Sequence, residues 1–181
     1  MAMFIRIDTD YPDEKAVNTL LKYIKYKAVF IGGQNLQNYN AAQQMRIIRD
    51  YYYQNNGILI YHFLLCYDIN CEFLSLFDMY EIAYLICEAF EGLQVFFGVH
   101  IGHDGWHTHF AVNPVYITNG KKICLTHANV CDITGRIKKI LKQYHINKLT
   151  YIDKYVPRDY RLDKAYEDML IQAGIIPYYF K

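Results

Sequence analysis

The chain lacks several features that would place it quickly in a class. No apolar run approaches the ~20 residues that a membrane-spanning helix needs, and no basic stretch followed by an apolar core stands at its start. The five cysteines are odd in number and show neither CxxC nor zinc-ribbon spacing. We therefore expect a cytoplasmic protein whose thiols are free.

The chain also has little net charge. Its formal charge is +1 and its pI is about 7.6, so the overall charge does not indicate nucleic-acid binding and any anion-binding surface has to be local. With 181 residues, of which 53% are hydrophobic and 20% charged, the chain can form one domain with a sizeable core. The 19 tyrosines supply stacking surface, but composition alone gives them no function.

The order of apolar patterns predicts an α+β fold with a mainly antiparallel central sheet and flanking helices. Strands are predicted at the start of the chain and at residues 58–67, 94–101, 107–113 and 148–154, and helices at 12–27, 40–53, 78–90, 132–144 and 159–173. Residues 28–39, which contain Gly32 and Gly33, are predicted as a loop. We divide the chain into a domain of residues 1–150 and a C-terminal helical extension of residues 151–181.

One segment carries several metal-ligand side chains at a spacing that a hairpin would bring together. It reads HIGHDGWHTH, and its Asp104-Gly105 is a dipeptide favoured in two-residue turns. Such a turn places His100 opposite His109, and the two-residue period of a strand then directs both, together with His107, to one face. His103 points to the other face. Three imidazoles on one face predict a divalent-metal site with open positions, although a single histidine is more often an ordinary hydrogen-bonded residue.

Three segments together resemble the relaxases, the mobilisation nucleases of conjugative plasmids and integrative elements, especially those of the MobP type. VHIGHDGWHTHFAVNPV, followed by Asn119-Gly-Lys-Lys, is similar to their third motif, with its histidines at His100, His107 and His109 and its asparagine at Asn113. LLKYIKYKA with the following Gly-Gly-Gln-Asn resembles their tyrosine motif, and ILIYHFLLCYD resembles a strand that usually ends in Ser-Phe. Here Cys-Tyr replaces Ser-Phe, and no threonine follows the tyrosine pair.

The resemblance implies a histidine-hydrophobe-histidine (HUH) endonuclease fold and a metal-dependent DNA relaxase. In such enzymes a tyrosine attacks one phosphodiester of single-stranded origin-of-transfer DNA, leaving a 5′-phosphotyrosine and a free 3′-hydroxyl. The implied metal ligands are His100, His107 and His109, with Mg²⁺ or Mn²⁺ as the expected ion for catalysis, although three imidazoles would also accept other transition metals. The implied partners are origin DNA and, during transfer, accessory relaxosome proteins and a coupling protein.

The resemblance also points to individual residues. Tyr23 heads the Tyr-Ile pair and is favoured as the nucleophile, with Tyr26 as the alternative. His62, on a buried strand, is expected to be structural or to support a metal ligand rather than to bind metal itself, and Asp104 either assists an imidazole or a proton transfer or only forms the turn. The basic candidates for contact with the DNA backbone are Lys25, Lys27, Lys121 and Lys122, and more weakly Arg136, Lys138, Lys139 and Lys142 on one helix.

Three other functions remain open. A rolling-circle replication initiator or single-tyrosine transposase of the same superfamily also combines a histidine pair with a tyrosine, but its tyrosine usually follows the histidines, whereas Tyr23 precedes them. A catalytically inactive DNA- or RNA-binding accessory protein would use metal only to stabilise its fold. A hydrolytic metalloenzyme acting on small molecules would turn over its substrate without forming a covalent DNA adduct.

Overall fold

The computed structural model describes residues 1–7, 11–26, 28–68, 71, 73–102 and 105–153. Its strands are β1 Ala2–Ile7, β2 Phe30–Gln34, β3 Tyr61–Tyr67, β4 Val95–Gly102, β5 Gly105–Val112 and β6 Leu149–Asp153. Its helices are α1 Glu14–Lys25, α2 Ala41–Tyr51, α3 Leu76–Cys87 and α4 His127–Gln143, with short 3₁₀ turns at Asn38–Asn40 and Glu88–Phe90. The predicted α+β class is confirmed.

The strands form one sheet in the order β2-β4-β5-β3-β1-β6. Every neighbouring pair is antiparallel except β1 and β6, which are parallel. All residues of β3 are buried, because the strand lies near the middle of the sheet and apolar residues cover both of its faces. The prediction of a mainly antiparallel sheet with a covered strand at this position is therefore confirmed.

The two faces of the sheet pack against different helices. On one face, aromatic side chains such as Phe63, Phe97 and Phe110 form a core with α3 and α4. On the other face, α1 and α2 cover a smaller core that includes Phe96 and Ala111. Because side-chain direction alternates along a strand, Phe96 in β4 and Ala111 in β5 share their face with the histidines of the same two strands. The helix that carries Tyr23 therefore covers the face that carries the histidines.

Helix α1 begins at Glu14, two residues later than predicted, and buries its apolar side. The side chain of Asp13 caps the helix by accepting from the backbone N–H of Ala16 at 2.8 Å. Acidic Glu14 lies in the first turn and two lysines lie in the last turn, which suits the helix dipole. Val17, Leu20, Leu21 and Ile24 are buried at helical spacing. The polar side of the last turn, including Tyr23, remains accessible.

A buried polar network fixes the start of α1 to the sheet. The Arg49 side chain is fully buried, and its Nη2 donates to Oε1 of Glu14 at 2.6 Å. Asn113, from the histidine motif, donates through Nδ2 to the backbone oxygen of Met45 at 3.1 Å and to Oε1 of Gln94 at 2.9 Å. Nη1 of Arg49 donates to Oδ1 of Asn113 at 3.5 Å. Because a buried cation is stable only when it is paired and hydrogen-bonded, these contacts tie the start of α1 to the sheet. Asn113 is a structural residue of the motif.

The predicted loop at residues 28–39 is wrong in part, because it contains the edge strand β2. Glycines are depleted in strands, so Gly32 and Gly33 favoured a loop. Packing explains them instead. A Cβ atom at Gly32 would lie 2.3 Å from Cζ of Phe97, and one at Gly33 would lie 2.5 Å from the backbone oxygen of Val95. These glycines mark a close approach of neighbouring strands rather than a turn.

Helix α4 begins earlier than predicted, at His127 rather than Asp132. Thr126 is its N-cap, and Oγ1 of Thr126 accepts from the backbone N–H of Asn129 at 3.3 Å. Asp132 lies inside the helix, where its Oδ2 pairs with Nε of Arg136 at 3.1 Å. A polar first turn concealed the true start of the helix from a pattern based on apolar spacing.

The C-terminal part of the chain is described only in β6, which extends to Asp153. The predicted helix at residues 159–173 lies outside the described residues, and the extension of residues 151–181 stays a prediction. All five cysteines are free, as predicted. Among the helices that the structure describes, none has the length and apolar character required to cross a membrane.

Candidate metal centre and nucleophile

The hairpin of β4 and β5 turns one residue earlier than predicted. Gly102 pairs with Gly105, whereas a turn at Asp104-Gly105 would pair Gly102 with His107. Gly105 already belongs to β5. His103 and Asp104 lie outside the described residues, so the roles predicted for their side chains stay predictions.

The earlier turn changes the pairing of the histidines but not the face that they occupy. His100 pairs with His107, and His109 pairs with Gly98, whereas the sequence predicted that His100 pairs with His109. The register is displaced by two residues. Since side chains alternate with a period of two, a two-residue displacement leaves all three histidines on the predicted face.

His100, His107 and His109 form a compact cluster. Each offers one nitrogen, and these atoms lie within 4.8 Å of one another. The ring centres are 5.4 Å apart for His100 and His107, 4.9 Å for His100 and His109, and 5.1 Å for His107 and His109. Within the described ranges, this is the one group of three or more potential ligands found close together. His100 and His109 are buried, whereas His107 is half-buried and leaves the cluster accessible from its side.

His109 carries a nitrogen that suits a metal ligand. Its Nε2 is buried and has no hydrogen-bond partner, which is uncommon for a buried polar atom. Burial, followed by the neighbouring histidines, lowers the pKa of His109 well below its ordinary value, so the imidazole is neutral near pH 7. A neutral imidazole with an unpaired buried nitrogen is the form that binds a divalent metal.

His100 is oriented by the last turn of α1. Its Nε2 lies 2.7 Å from the backbone oxygen of Ile24, and because a carbonyl only accepts, Nε2 must carry the hydrogen. The lone pair therefore resides on Nδ1. Burial lowers the pKa of His100, although the hydrogen bond to Ile24 opposes that shift. The negative end of the α1 dipole also favours a cation nearby.

Tyr23 lies beside these histidines. Its ring centre is 5.2 Å from that of His109 and 6.3 Å from that of His100, and the residue is 41% exposed. Burial of part of the phenol raises the pKa of Tyr23 above its ordinary value. Tyr26, the alternative nucleophile, is the C-terminal cap of α1 and is 66% exposed. The structure thus places the favoured tyrosine, Tyr23, against the histidine cluster.

Gly98 permits this proximity, and the sequence analysis missed it. A Cβ atom at Gly98 would lie 2.5 Å from the backbone oxygen of Ile24 and 2.9 Å from its Cγ2. Any larger residue would therefore push the end of α1 away from β4. The available signal was a glycine inside an apolar strand, two residues before His100, which often marks a close backbone approach.

His62 lies behind His109, away from the opening of the cluster. Its Nε2 is 2.9 Å from Nδ1 of His109, and its Nδ1 is 2.8 Å from the hydroxyl of Tyr11. Burial lowers the pKa of His62 to about 3, so the ring is neutral. This position agrees with a supporting role for His62. No sequence pattern singled out Tyr11, because its contact with His62 depends on where the segment before α1 lies in the fold.

Comparison with known proteins identifies the family. Residues 19–146 match the family described as relaxase, MobA/VirD2-like, nuclease domain. The chain belongs to this relaxase family. The resemblance to relaxases stated from the motifs is thereby confirmed. Comparison with curated protein sequences found no match.

Solved structures of another relaxase share the fold. A manganese-bound crystal structure of the MobM relaxase domain (MOBV; Mob_Pre) with plasmid pMV158 oriT DNA has a TM-score of 0.59 and 10% identity, covering 93% of this chain and 98% of that chain. A second MobM structure, bound to 26-nucleotide pMV158 oriT DNA, has a TM-score of 0.55 and 12% identity with the same coverage. At these identities the similarity establishes the fold alone.

The basic residues of this relaxase are divided among three places. Lys22 and Lys25 lie in the last turn of α1, the turn that carries Tyr23. The predicted Lys27 lies outside the described residues. The sequence analysis did not single out Lys22, although its position beside Tyr23 was available as a signal. The last turn of α1 is therefore the basic surface that the structure places next to the histidine cluster.

Lys121 and Lys122 are not brought to the histidines. Lys122 forms a bridge with Val115, beyond the end of β5 that lies opposite the hairpin turn. Its ammonium donates to the backbone oxygens of Asn56 and Ile58, at 3.2 Å for the latter, and burial lowers its pKa. The other basic candidates, Arg136, Lys138, Lys139 and Lys142, lie on α4, against the opposite face of the sheet.

Proposed function

We propose that this relaxase nicks single-stranded DNA at an origin of transfer by attack of Tyr23 on one phosphodiester, with a divalent ion held by His100, His107 and His109. The observation that carries the proposal is the position of the Tyr23 ring against two of the three histidines. A phosphate held at the histidines would lie within reach of the phenol oxygen. The oriT DNA and manganese in the MobM structure support the same substrate class and metal class.

The residues fit a metal because His109 offers an unpaired buried Nε2 and His100 offers a bare Nδ1. Imidazole ligands suit first-row transition ions better than Mg²⁺, which prefers oxygen. We therefore favour Mn²⁺ over Mg²⁺ for this set. A bound divalent ion would withdraw charge from the scissile phosphate and stabilise the charge that develops on it.

The transfer forms one bond and breaks another. The Tyr23 oxygen forms a bond to phosphorus while the bond from phosphorus to the 3′ oxygen breaks. The phenol proton passes to solvent, and the 3′ oxygen takes a proton from water. The products are a 5′-phosphotyrosine and a free 3′-hydroxyl, so rejoining requires no ATP. Because the pKa of Tyr23 is raised, a nearby positive charge is needed to make the phenol an effective nucleophile.

The DNA backbone would pass over the last turn of α1. Lys25 and Lys22 flank Tyr23 there and would contact phosphates next to the scissile one. Lys27 follows directly in the sequence and is proposed for the same surface. Lys121 and Lys122 would meet only DNA that extends well beyond the nick, because they lie past the far end of β5.

The test is the formation of a covalent adduct. The protein is incubated with Mn²⁺ and single-stranded candidate origin DNA labelled at its 3′ end, and adducts are separated on a denaturing gel. We expect the wild-type protein and Tyr26→Phe to form a labelled adduct and Tyr23→Phe to form none. An adduct that persists in Tyr23→Phe and is lost in Tyr26→Phe would transfer the role to Tyr26. DNA binding without any adduct would instead support an accessory protein.

A further inference from the structure

We propose that Tyr11 and His62 act as positioning residues that hold His109 in the tautomer whose Nε2 carries no hydrogen and can bind a metal ion. The inference rests on the proposed function only in taking a metal ion as the ligand that Nε2 of His109 binds. Tyr11, His62 and His109 are connected by two consecutive contacts of 2.8 and 2.9 Å. These residues come from three different parts of the chain, namely the segment before α1, β3 and β5.

The contact between the two imidazoles requires one donor and one acceptor. Either Nδ1 of His109 carries the hydrogen and donates to Nε2 of His62, or Nε2 of His62 carries it and donates to Nδ1 of His109. In the first arrangement Nε2 of His109 is bare. In the second, Nε2 of His109 carries a hydrogen.

The surroundings of His109 select the first arrangement. Its Nε2 is buried and has no partner, so a hydrogen there would be a buried donor without an acceptor, which is unfavourable. An Nε2 without a hydrogen costs less at the same place, because buried N–H donors without an acceptor are rarer in proteins than buried acceptors without a donor. Nδ1 of His109 therefore donates to His62. Nδ1 of His62 then carries a hydrogen, which it donates to the Tyr11 oxygen.

His62 and His109 are both buried, at 5% and 4% exposure. The two rings are nearly parallel, with centres 5.2 Å apart and an angle of 28° between their planes. They project from the same face of the adjacent strands β3 and β5, where His62 pairs with Ala111 and Leu64 pairs with His109. The backbone register of the sheet thus holds the two rings together.

The chain of contacts also ties the metal centre to the helix that carries the nucleophile. Tyr11 lies just before α1, and Ile24 lies in its last turn. Tyr11 acts on His109 through His62, whereas the Ile24 oxygen accepts directly from His100. Both ends of α1 therefore orient a histidine of the cluster. Removal of an outer hydrogen-bond partner of a metal ligand typically weakens metal binding by about 10–100-fold.

Two substitutions at His62 separate its two contacts. The amide of asparagine reaches about as far as Nδ1 of histidine, so His62→Asn keeps a group facing Tyr11 and loses the contact with His109. The amide of glutamine reaches about as far as Nε2, so His62→Gln keeps an acceptor for His109 and loses the contact with Tyr11. Tyr11→Phe removes the hydroxyl that His62 contacts at the outer end of the chain. Tyr39→Phe is the control, since Tyr39 is 75% exposed and takes part in none of these contacts.

The first measurement is the affinity of the full chain for Mn²⁺, determined by calorimetry. We expect His62→Asn to bind about 10–100-fold more weakly than the wild type. His62→Gln should stay within about threefold, Tyr11→Phe should fall between the two, and Tyr39→Phe should match the wild type. Equal affinities for folded His62→Asn and the wild type would overturn the proposal. If His62→Asn does not fold, Tyr11→Phe decides, and an unchanged affinity there overturns the role of Tyr11.

The second measurement needs no metal. Long-range ¹H–¹⁵N spectra of the metal-free protein report which nitrogen of each histidine carries the hydrogen. We expect the hydrogen on Nδ1 of both His109 and His62, and loss of this preference at His109 in His62→Asn. A hydrogen on Nε2 of His109 would overturn the proposal even if the protein forms a DNA adduct. Conversely, the expected tautomers without any Mn²⁺ binding would contradict the proposed metal centre and leave the positioning of His109 intact.

Discussion

The two faces of the sheet differ in what they bury. The face under α3 and α4 buries aromatic and aliphatic side chains, including Phe63 and Phe97. The face under α1 and α2 buries five histidine, arginine and glutamine side chains that have specific partners, namely Arg49, His62, Gln94, His100 and His109. Buried polar groups are costly unless each finds a partner, so their concentration on one face indicates a functional site. The other face supplies most of the apolar core.

The largest effect should come from removing one histidine of the cluster. His107→Ala should bind Mn²⁺ more than about 100-fold more weakly, because losing a ligand costs more than losing an outer partner, and covalent adduct should become undetectable. His107 is half-buried, so the free energy of unfolding without metal should change by less than about 1 kcal/mol. Calorimetry and urea unfolding measure the two quantities. A large loss of stability together with retained Mn²⁺ binding would contradict the division between the faces.

The matched change on the opposite face should have the reverse result. Phe63 is buried and stacks on Phe4 with ring centres 5.1 Å apart. Phe63→Ala should therefore lower the free energy of unfolding by about 3–5 kcal/mol. The affinity of the remaining folded protein for Mn²⁺ should stay within about twofold of the wild type. A loss of affinity comparable to that of His107→Ala would show that the two faces are not independent.

A substitution at Gly98 tests whether the close approach of α1 to β4 matters for the site. Gly98→Ala places a Cβ 2.5 Å from the backbone oxygen of Ile24, and relief of such a clash costs about 1–3 kcal/mol. The end of α1 should move, which shifts Tyr23 and breaks the contact that orients His100. We expect adduct formation to slow about 10–100-fold, as for small misplacements of reacting groups. Gly135→Ala is the control, because no heavy atom lies within 4 Å of the Cβ position there. Equal rates for the two variants would contradict this role of Gly98.

The histidine face was predictable because strand periodicity is a local property. The predicted register was displaced by two residues, yet parity alone placed His100, His107 and His109 together. Contacts between distant elements were not predictable in this way. The approach of Ile24 to Gly98 depends on how α1 lies on the sheet. The same is true of β2, whose glycines are explained only by the side chains and backbone that pack against them.

The basic residues show the same limit. Lys25 and Lys122 look alike in the sequence. Lys25 precedes a tyrosine, and Lys122 follows another lysine. In the structure, Lys122 donates to two backbone oxygens, whereas Lys25 lies exposed in the turn that carries Tyr23. No sequence pattern reveals which backbone oxygens a side chain will meet. The prediction of DNA contacts was therefore less specific than the prediction of the histidine cluster.

The pH dependence of stability should reveal the buried histidines. The pKa of His62 is about 3 in the folded protein and near 6.5 in the unfolded chain. Below pH 6.5 the unfolded chain binds a proton that the folded protein does not, so the free energy of unfolding falls as pH falls. For His62 alone the loss between pH 7 and pH 5 is about 2 kcal/mol. Urea unfolding at both pH values in the presence of a chelator measures it.

The control for this dependence is His62→Gln, which has no titrating group at that position. Its loss of stability between the two pH values should be smaller than that of the wild type by about 2 kcal/mol. The remaining loss reflects His100 and His109, whose pKa values burial also lowers. Identical pH dependences for the two proteins would mean that His62 is not buried in its neutral form.

The smallest effect should distinguish the two basic surfaces. Lys25→Ala removes a charge from the last turn of α1, and Lys121→Ala removes one beyond the far end of β5. On short single-stranded DNA centred on the nick site, we expect Lys25→Ala to weaken binding and to reduce the slope of log affinity against log salt by about 0.7, the value for one lost phosphate contact. Lys121→Ala should change neither quantity. Fluorescence anisotropy at several salt concentrations measures both, and equal effects of the two variants would place the DNA along the whole length of β5 rather than at the end of α1.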